Sequence, residues 1–240
     1  MGRVPGAEDS GAGPERSTRS GAADRRRERS AEIIRATRAL FDARGVRDGR
    51  IEDIAKAVGV NRAIIYRHFS GKEELFALTL VGYLDELVAE LRSADDPERP
   101  PTERLRRISA AFLDFGERYP AFVDCALTLL RRPGDELLHE VDEGSMLQLG
   151  RSLARCLRVL VEVIEAGVDA GEFHVDNPDL LANVLYTQAL GGLQLARLRL
   201  LVREANPDVP NVAPVSVDEV KRYLIEAGVA TARGAPADGD

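Results

Sequence analysis

Ile51, Ile54, Ala55 and Val58 recur at i, i+3, i+4 and i+7, one apolar stripe on a short helix. Gly59 follows and can take the left-handed conformation that ends a helix. Asn61 is a residue type that caps the next one. Ile65 and Phe69, four apart, turn that second helix inward. The same spacing leaves Arg62, Ala63, Ile64, Tyr66, Arg67 and His68 on other faces. Two short helices joined by a tight turn, the second carrying exposed Tyr, Arg and His, suit a DNA major groove better than a core. Residues 51–72 therefore predict a helix-turn-helix DNA reader.

The wording is more specific than the pattern. Ile54-Ala55, Gly59-Val60, Tyr66-Arg67-His68-Phe69 and Lys72-Glu73-Glu74-Leu75 together resemble the amino-terminal domain of the TetR family of bacterial transcriptional regulators. The resemblance runs from about Arg29 to Leu75, with Ala31 to Phe41 as a preceding helix and Gly45 as its stop. It implies an all-α homodimer in which this domain joins a larger helical domain for ligand binding and dimerisation. It also implies repression that ends when a small molecule binds. It marks Ile65 and Phe69 as core and Arg62, Ala63 and Ile64 as groove-facing. A guanidinium at Arg62 can bond guanine O6 and N7 together, and Ile64 suits either a thymine methyl or extra core packing. Tyr66, His68 and Lys72 are expected on phosphates, which position rather than specify, with Asn61 and Arg67 on the same surface. Lys72 also opens a helix whose terminal N–H groups favour a phosphate. Glu52 either accepts from a cytosine amine or stays a solvated charge. The family often places Thr or Ser at the start of the first motif helix. Gly49-Arg50 stands there in this chain, which leaves Arg50 to reach the phosphate by charge.

A net charge of −7 is unusual for a DNA binder until its distribution is examined. Arg16 to Lys72 holds fifteen Lys and Arg against seven Asp and Glu; the rest of the chain holds eighteen against thirty-three. A basic module on an acidic body suits sequence-selective binding, because the body limits loose electrostatic adhesion. No apolar run approaches the ~20 residues of a membrane helix. The amino terminus has no apolar segment of the secretory type, so cytoplasm is the default. Cys125 and Cys156 fall inside apolar helical patterns and read as small buried hydrophobes. His68, His139 and His174 do not cluster with other ligand types, so neither a metal nor a cofactor is expected.

Residues 1–24 are poor in large apolar side chains and are expected to be disordered. The run Arg25-Arg26-Arg27-Glu28-Arg29 is either a solvated helix start or an arm along the DNA. The DNA-binding domain spans 25–75, a ligand-binding and dimerisation domain 76–230, and a tail 231–240. Periodicity predicts about nine helices and an all-α fold. Prolines near Asp95–Pro101, at Pro120 and Pro133, and over Asn206–Pro214, read as a loop, separate the elements. Asn177-Pro178 marks a helix start.

In the large domain Phe112, Phe115, Tyr119, Phe122, Leu127, Leu153, Leu157 and Leu185 form stripes that are either plain core or the wall of a cavity. Gln188 is expected on the buried face of its helix, where its amide needs a partner, as does the Tyr119 phenol. These residues are the candidate site for an apolar or amphipathic effector with few polar anchors. Asn177–Leu201 and Val217–Ala227 are the expected dimer surface, with Gly191-Gly192 allowing close helix approach and Leu193, Leu195 and Leu198 to Leu201 supplying apolar faces. The alternatives are burial within one subunit and a constitutive regulator or activator with no pocket. An enzyme is excluded for lack of parts: no phosphate loop, no paired carboxylates in an apolar setting, no nucleophile with a spaced His.

Overall fold

The structure, a computed structural model, describes residues 15–46, 50–206 and 209–234. Gly49, most of the expected amino-terminal tail and residues 235–240 of the expected carboxy-terminal tail lie outside the described residues. Ten helices and one hairpin make up the described part. α1 (Glu15–Arg44), α2 (Ile51–Val58) and α3 (Arg62–His68) form the small domain. Ile33, Phe41, Ile51, Ile54, Ala55, Ile65 and Phe69 are all buried there, as the stripes require. Gly59 ends α2 at φ 70°, in the left-handed region. Asn61 caps α3 through its side-chain oxygen, which accepts from the Ile64 N–H at 3.0 Å.

α4 (Lys72–Ala94) leaves this domain and becomes the spine of the next. It packs on α1 through Phe41 and Phe76, an edge-to-face ring pair 5.0 Å apart. Leu80, Leu84, Leu87 and Leu91 continue its buried face, and each such fully buried side chain contributes about 1.5–3 kcal/mol. Around it lie α5 (Pro101–Arg118), α6 (Pro120–Leu130), α7 (Gly134–Glu140), α8 (Glu143–Asp169), α9 (Pro178–Leu198) and α10 (Val217–Arg233). Prolines open α5, α6 and α9 at the first helical position, where a missing N–H costs nothing. Asp142, Asn177 and Ser216 cap α8, α9 and α10.

Several expectations are corrected. Residues 15–24, assigned to a disordered tail, continue α1 as helix, because Glu, Arg and Ala favour that state even without an apolar stripe. α7 was not expected; it buries no residue and so leaves no stripe to read. Asn206 and Val209–Pro214, read as part of a loop, belong to the antiparallel strands β1 (Leu200–Asn206) and β2 (Val209–Pro214). Pro210 and Pro214 share one parity in β2, so both missing N–H groups point to its outer edge, where none is needed. Leu198 ends α9, and Leu200 and Leu201 belong to β1 rather than to a helical dimer surface. α10 runs to Arg233, past the start of the expected tail. No described helix is long and apolar enough to cross a membrane.

Candidate nucleic-acid interface and buried cavity

Arg62, Ala63, Tyr66 and Arg67 are exposed on α3, and Ile64 is half-buried beside them. Arg62 is already held in place. Its guanidinium donates to Glu52 at 2.8 Å and to the Tyr66 hydroxyl at 3.1 Å, and both contacts favour its charged form. Glu52 is therefore the orienting partner of Arg62, which the sequence did not indicate. Arg50 is exposed with its Nε 3.8 Å from Glu52. Lys72 is exposed at the start of α4, its ammonium 4.9 Å from the Phe76 ring centre. Asn61 is exposed, but its side-chain oxygen is occupied by the cap.

His68 faces inward, away from its expected phosphate. Its Nδ1 shares a hydrogen bond of 2.9 Å with the Ser30 hydroxyl of α1. Burial, and then Arg26 and Arg29, hold its pKa below the usual histidine value, so it is neutral near pH 7. Arg26 donates to the Arg67 carbonyl at 3.1 Å, at the carboxy-terminal end of α3 where a cation is favoured. The basic run 25–29 is thus part of a helix docked on α3, not an extended arm.

The second feature is a partly open cavity of about 60 Å³ among α4, α5, α8, α9 and α10. Leu91, Ile108, Phe112 and Leu113 line one side, Cys156, Leu157 and Leu160 another, and Leu185, Tyr186, Ala189, Leu224 and Gly228 the rest. The polar residues of its lining are Ser109, Tyr186 and Gln188. None makes a side-chain hydrogen bond to a described residue. Tyr186 is 8% exposed, and burial raises its pKa. Burial likewise pushes the Cys156 thiol up to about 12 and that of Cys125 higher, which makes both inert.

Of the expected lining, Phe112, Leu157, Leu185 and Gln188 meet at this cavity. Gln188 is exposed at its rim rather than buried. Phe115, Tyr119 and Phe122 do not line it. They pack into a closed aromatic cluster: Phe122 lies 5.8 Å from Phe112, 5.3 Å from Phe115 and 6.2 Å from Tyr83. The Tyr119 hydroxyl donates to Glu86 at 3.0 Å. Leu153 is half-buried on α8, and Leu127 borders a separate polar cleft with Lys72 and Asp124. Tyr186 was missed because α9 is apolar on two faces. The stripe Leu181, Val184, Leu185, Gln188 straddles them, whereas Ala182, Tyr186, Leu190 and Leu193 face the core.

The aromatic cluster connects the two features. Phe112 lines the cavity and meets Phe122; Phe122 meets Tyr83; and the Tyr83 hydroxyl donates to Asp42 of α1 at 2.6 Å. Arg38 of α1 covers the Tyr83 ring at 4.2 Å and pairs with Glu86. A second tie runs through Glu74, a buried carboxylate of α4. It accepts from the Ser70 N–H, just after α3, at 2.5 Å and from the Ser145 hydroxyl of α8 at 2.7 Å.

Comparison with known proteins agrees with this geometry. Residues 33–79 match the family model for bacterial regulatory proteins of the tetR family. The chain is 28% identical over 162 residues to the transcriptional repressor KstR2 of Mycobacterium tuberculosis, covering 66% of this chain and 74% of that protein. It is 31% identical over 159 residues to the transcriptional repressor NicS of Pseudomonas putida, covering 64% of this chain and 68% of that one. A tetR-family regulatory protein from Rhodococcus RHA1 shares the fold at a TM-score of 0.61 and 17% identity, over 86% of this chain and 98% of that one.

Proposed function

Since this chain belongs to the TetR family of bacterial regulatory proteins, and is thereby a DNA-binding transcriptional regulator, we propose that it is an effector-released repressor. It binds operator DNA as a homodimer. α3 enters the major groove, Arg62 reads a guanine, and Tyr66, Arg67, Arg50 and Lys72 hold phosphates. Glu52 and Tyr66 fix the Arg62 guanidinium in advance, which lowers the entropy lost on docking.

The dimer surface is built from α9 and α10, where Tyr223 is exposed, and its main part is the outward stripe of α9. Leu180, Val184, Leu195 and Leu198 are exposed along it, with Thr187 and Gly191 between them. Gly191 has open space where a side chain would point, so a second helix can approach there. Gly192 and Leu193 serve the subunit interior instead. A Cβ at Gly192 would lie 2.4 Å from Leu224, and one at Gly116 would lie 2.3 Å from Leu193.

The observation that carries the control mechanism is the size of the cavity together with its connections. A volume of about 60 Å³ is far below the ~300 Å³ of an ordinary ligand site. An effector of more than a few heavy atoms must therefore displace the surrounding helices. A ligand shifts an equilibrium only by binding its two states unequally, and a site that must open satisfies that condition. Displacement at Phe112 passes through Phe122 and Tyr83 to α1, which holds α3 through Ser30 and Arg26. The effector class is an apolar molecule with one or two hydrogen-bonding groups, placed by Tyr186, Ser109 and Gln188. A ketosteroid is a suitable first probe, since KstR2 is described as a ketosteroid transcriptional regulator.

The same small volume favours a second reading, a constitutive regulator whose large domain is only core. The two separate in one experiment. Operator sites are selected from random DNA, and their affinity is followed by fluorescence anisotropy while apolar compounds are added. Release by a compound that also raises the melting temperature supports the effector reading. A full screen without a binder supports the constitutive one.

A further inference from the structure

Eight of the thirteen large apolar side chains that remain exposed among the described residues lie between Leu180 and Tyr223. Three of them belong to the hairpin: Leu200 is 44% exposed, Val202 76% and Val212 57%. The register pairs Leu200 with Pro214 and Val202 with Val212, so all four side chains share one face. Leu201, on the opposite face, packs on Ala196, Val215 and Val220. The hairpin is therefore apolar on both faces near its base. A sheet with one face in water normally alternates apolar and polar, and continuous apolar runs mark strands covered on both sides. A lone two-stranded hairpin is also marginal in water.

We propose that this hairpin is an intersubunit arm, whose Val202–Val212 face lies on the first turns of α9 in a second copy of the chain. The proposal rests on the α9 dimer described above. The arm's occupant follows from continuity with that stripe. Leu195 and Leu198 end the stripe, and Arg199, at φ 55°, turns the chain directly into β1. A two-fold contact is self-complementary: what one copy gives, it also receives. The stripe runs from Leu180 to Leu198 and is centred near Thr187 and Gly191. Antiparallel helices crossing there bring the end of one α9 beside the start of the other. At that start Leu180 is 61% exposed. The arm's apolar face and this leucine then cover each other twice, once on each side of the axis.

The test uses the full chain. Sedimentation across a dilution series gives the dimer dissociation constant of the wild type, of the double variant Val202→Asp with Val212→Asp, and of Leu195→Asp as a stripe control. A second variant carries Leu180→Cys with Val202→Cys and is oxidised; the native cysteines are buried and do not compete. The arm predicts a dissociation constant raised about tenfold or more in the Asp double variant, as for charges stranded in an apolar contact. It also predicts a disulfide-linked dimer on a non-reducing gel. If the wild type and the Asp double variant dimerise equally, while Leu195→Asp dissociates, the arm is overturned and the α9 dimer stands. A weakened dimer with no cross-link overturns the placement on the start of α9. A monomeric wild type at micromolar concentration overturns both the arm and the dimer.

Discussion

Replacing Tyr186 by Phe removes a single oxygen from the cavity wall, and its two expected effects have opposite signs. Tyr186 is 8% exposed, lines an apolar cavity and makes no side-chain hydrogen bond to a described residue. Among the described residues only Glu140 Oε2 is a fully buried side-chain oxygen without a partner. The Tyr186 oxygen therefore keeps some access and carries at most the low end of the about 1–3 kcal/mol that an unpaired buried hydroxyl costs. Removing it should therefore leave the ligand-free protein as stable as before, or more stable by about 1 kcal/mol, which raises the melting temperature by roughly 2–4 °C in a chain of this size. The ring contact with Phe112, 5.7 Å between centres, survives the change. An effector whose oxygen takes the phenolic hydrogen bond should lose about 0.5–1.5 kcal/mol, or roughly two- to twelve-fold in affinity. Its deoxygenated analogue should lose nothing. Urea unfolding of the free protein gives the first quantity, and calorimetric titration of the analogue pair gives the second. A Tyr186→Phe protein destabilised by more than 1 kcal/mol that binds both analogues as before would show that the hydroxyl serves the fold and anchors no ligand.

The remaining predictions concern the DNA surface, the dimer and pH. Arg62→Ala should cost about 1–3 kcal/mol at one operator base pair and relax preference there, measured with single-base operator variants at fixed salt. Lys72→Ala should weaken all sequences alike and flatten the salt dependence. Leu195, 42% exposed, and Leu193, 2% exposed, should respond differently to Asp: Leu195→Asp should give a folded monomer, whereas Leu193→Asp should lower the melting temperature steeply, because it strands a charge in the core. His68 has a folded pKa below its unfolded value. Its contribution to stability is therefore complete above about pH 6.5 and is lost as the pH falls below that value. His68→Gln should remove that part of the acid sensitivity in a melting curve taken across pH 5 to 8, and a curve identical to wild type would refute the assignment.

The helix-turn-helix was legible because its spacing, its αL glycine and its capping Asn61 all select the same local structure. In the larger domain the cap and proline of Asn177-Pro178 marked the start of α9 for the same reason, while the prolines at Pro101 and Pro120 marked breaks that the structure shows to be the first residues of α5 and α6. Features that rest on tertiary contact were harder to see. α9 is apolar on a core face and on an outer face, so periodicity alone could not separate Tyr186 from Val184 and Gln188. Phe112 and Phe115 lie one turn apart on α5, yet one lines the cavity and the other closes the aromatic cluster. That distinction depends on α6 and α9, not on α5. Glu52 looked like a solvated charge because its partner, Arg62, lies across the turn on another helix. The hairpin was hidden by its prolines, which argue against a strand in general and fit only at an outer edge.

The decisive measurement is the coupling between cavity and operator, taken in both directions. A compound found by thermal shift is titrated into the free protein and into the operator complex, and operator affinity is measured with and without saturating compound. Control through the cavity requires that the compound weaken operator binding, and that operator weaken compound binding by the same factor, typically about 5–150-fold. A compound that binds inside the cavity with equal affinity to free and operator-bound protein would contradict it.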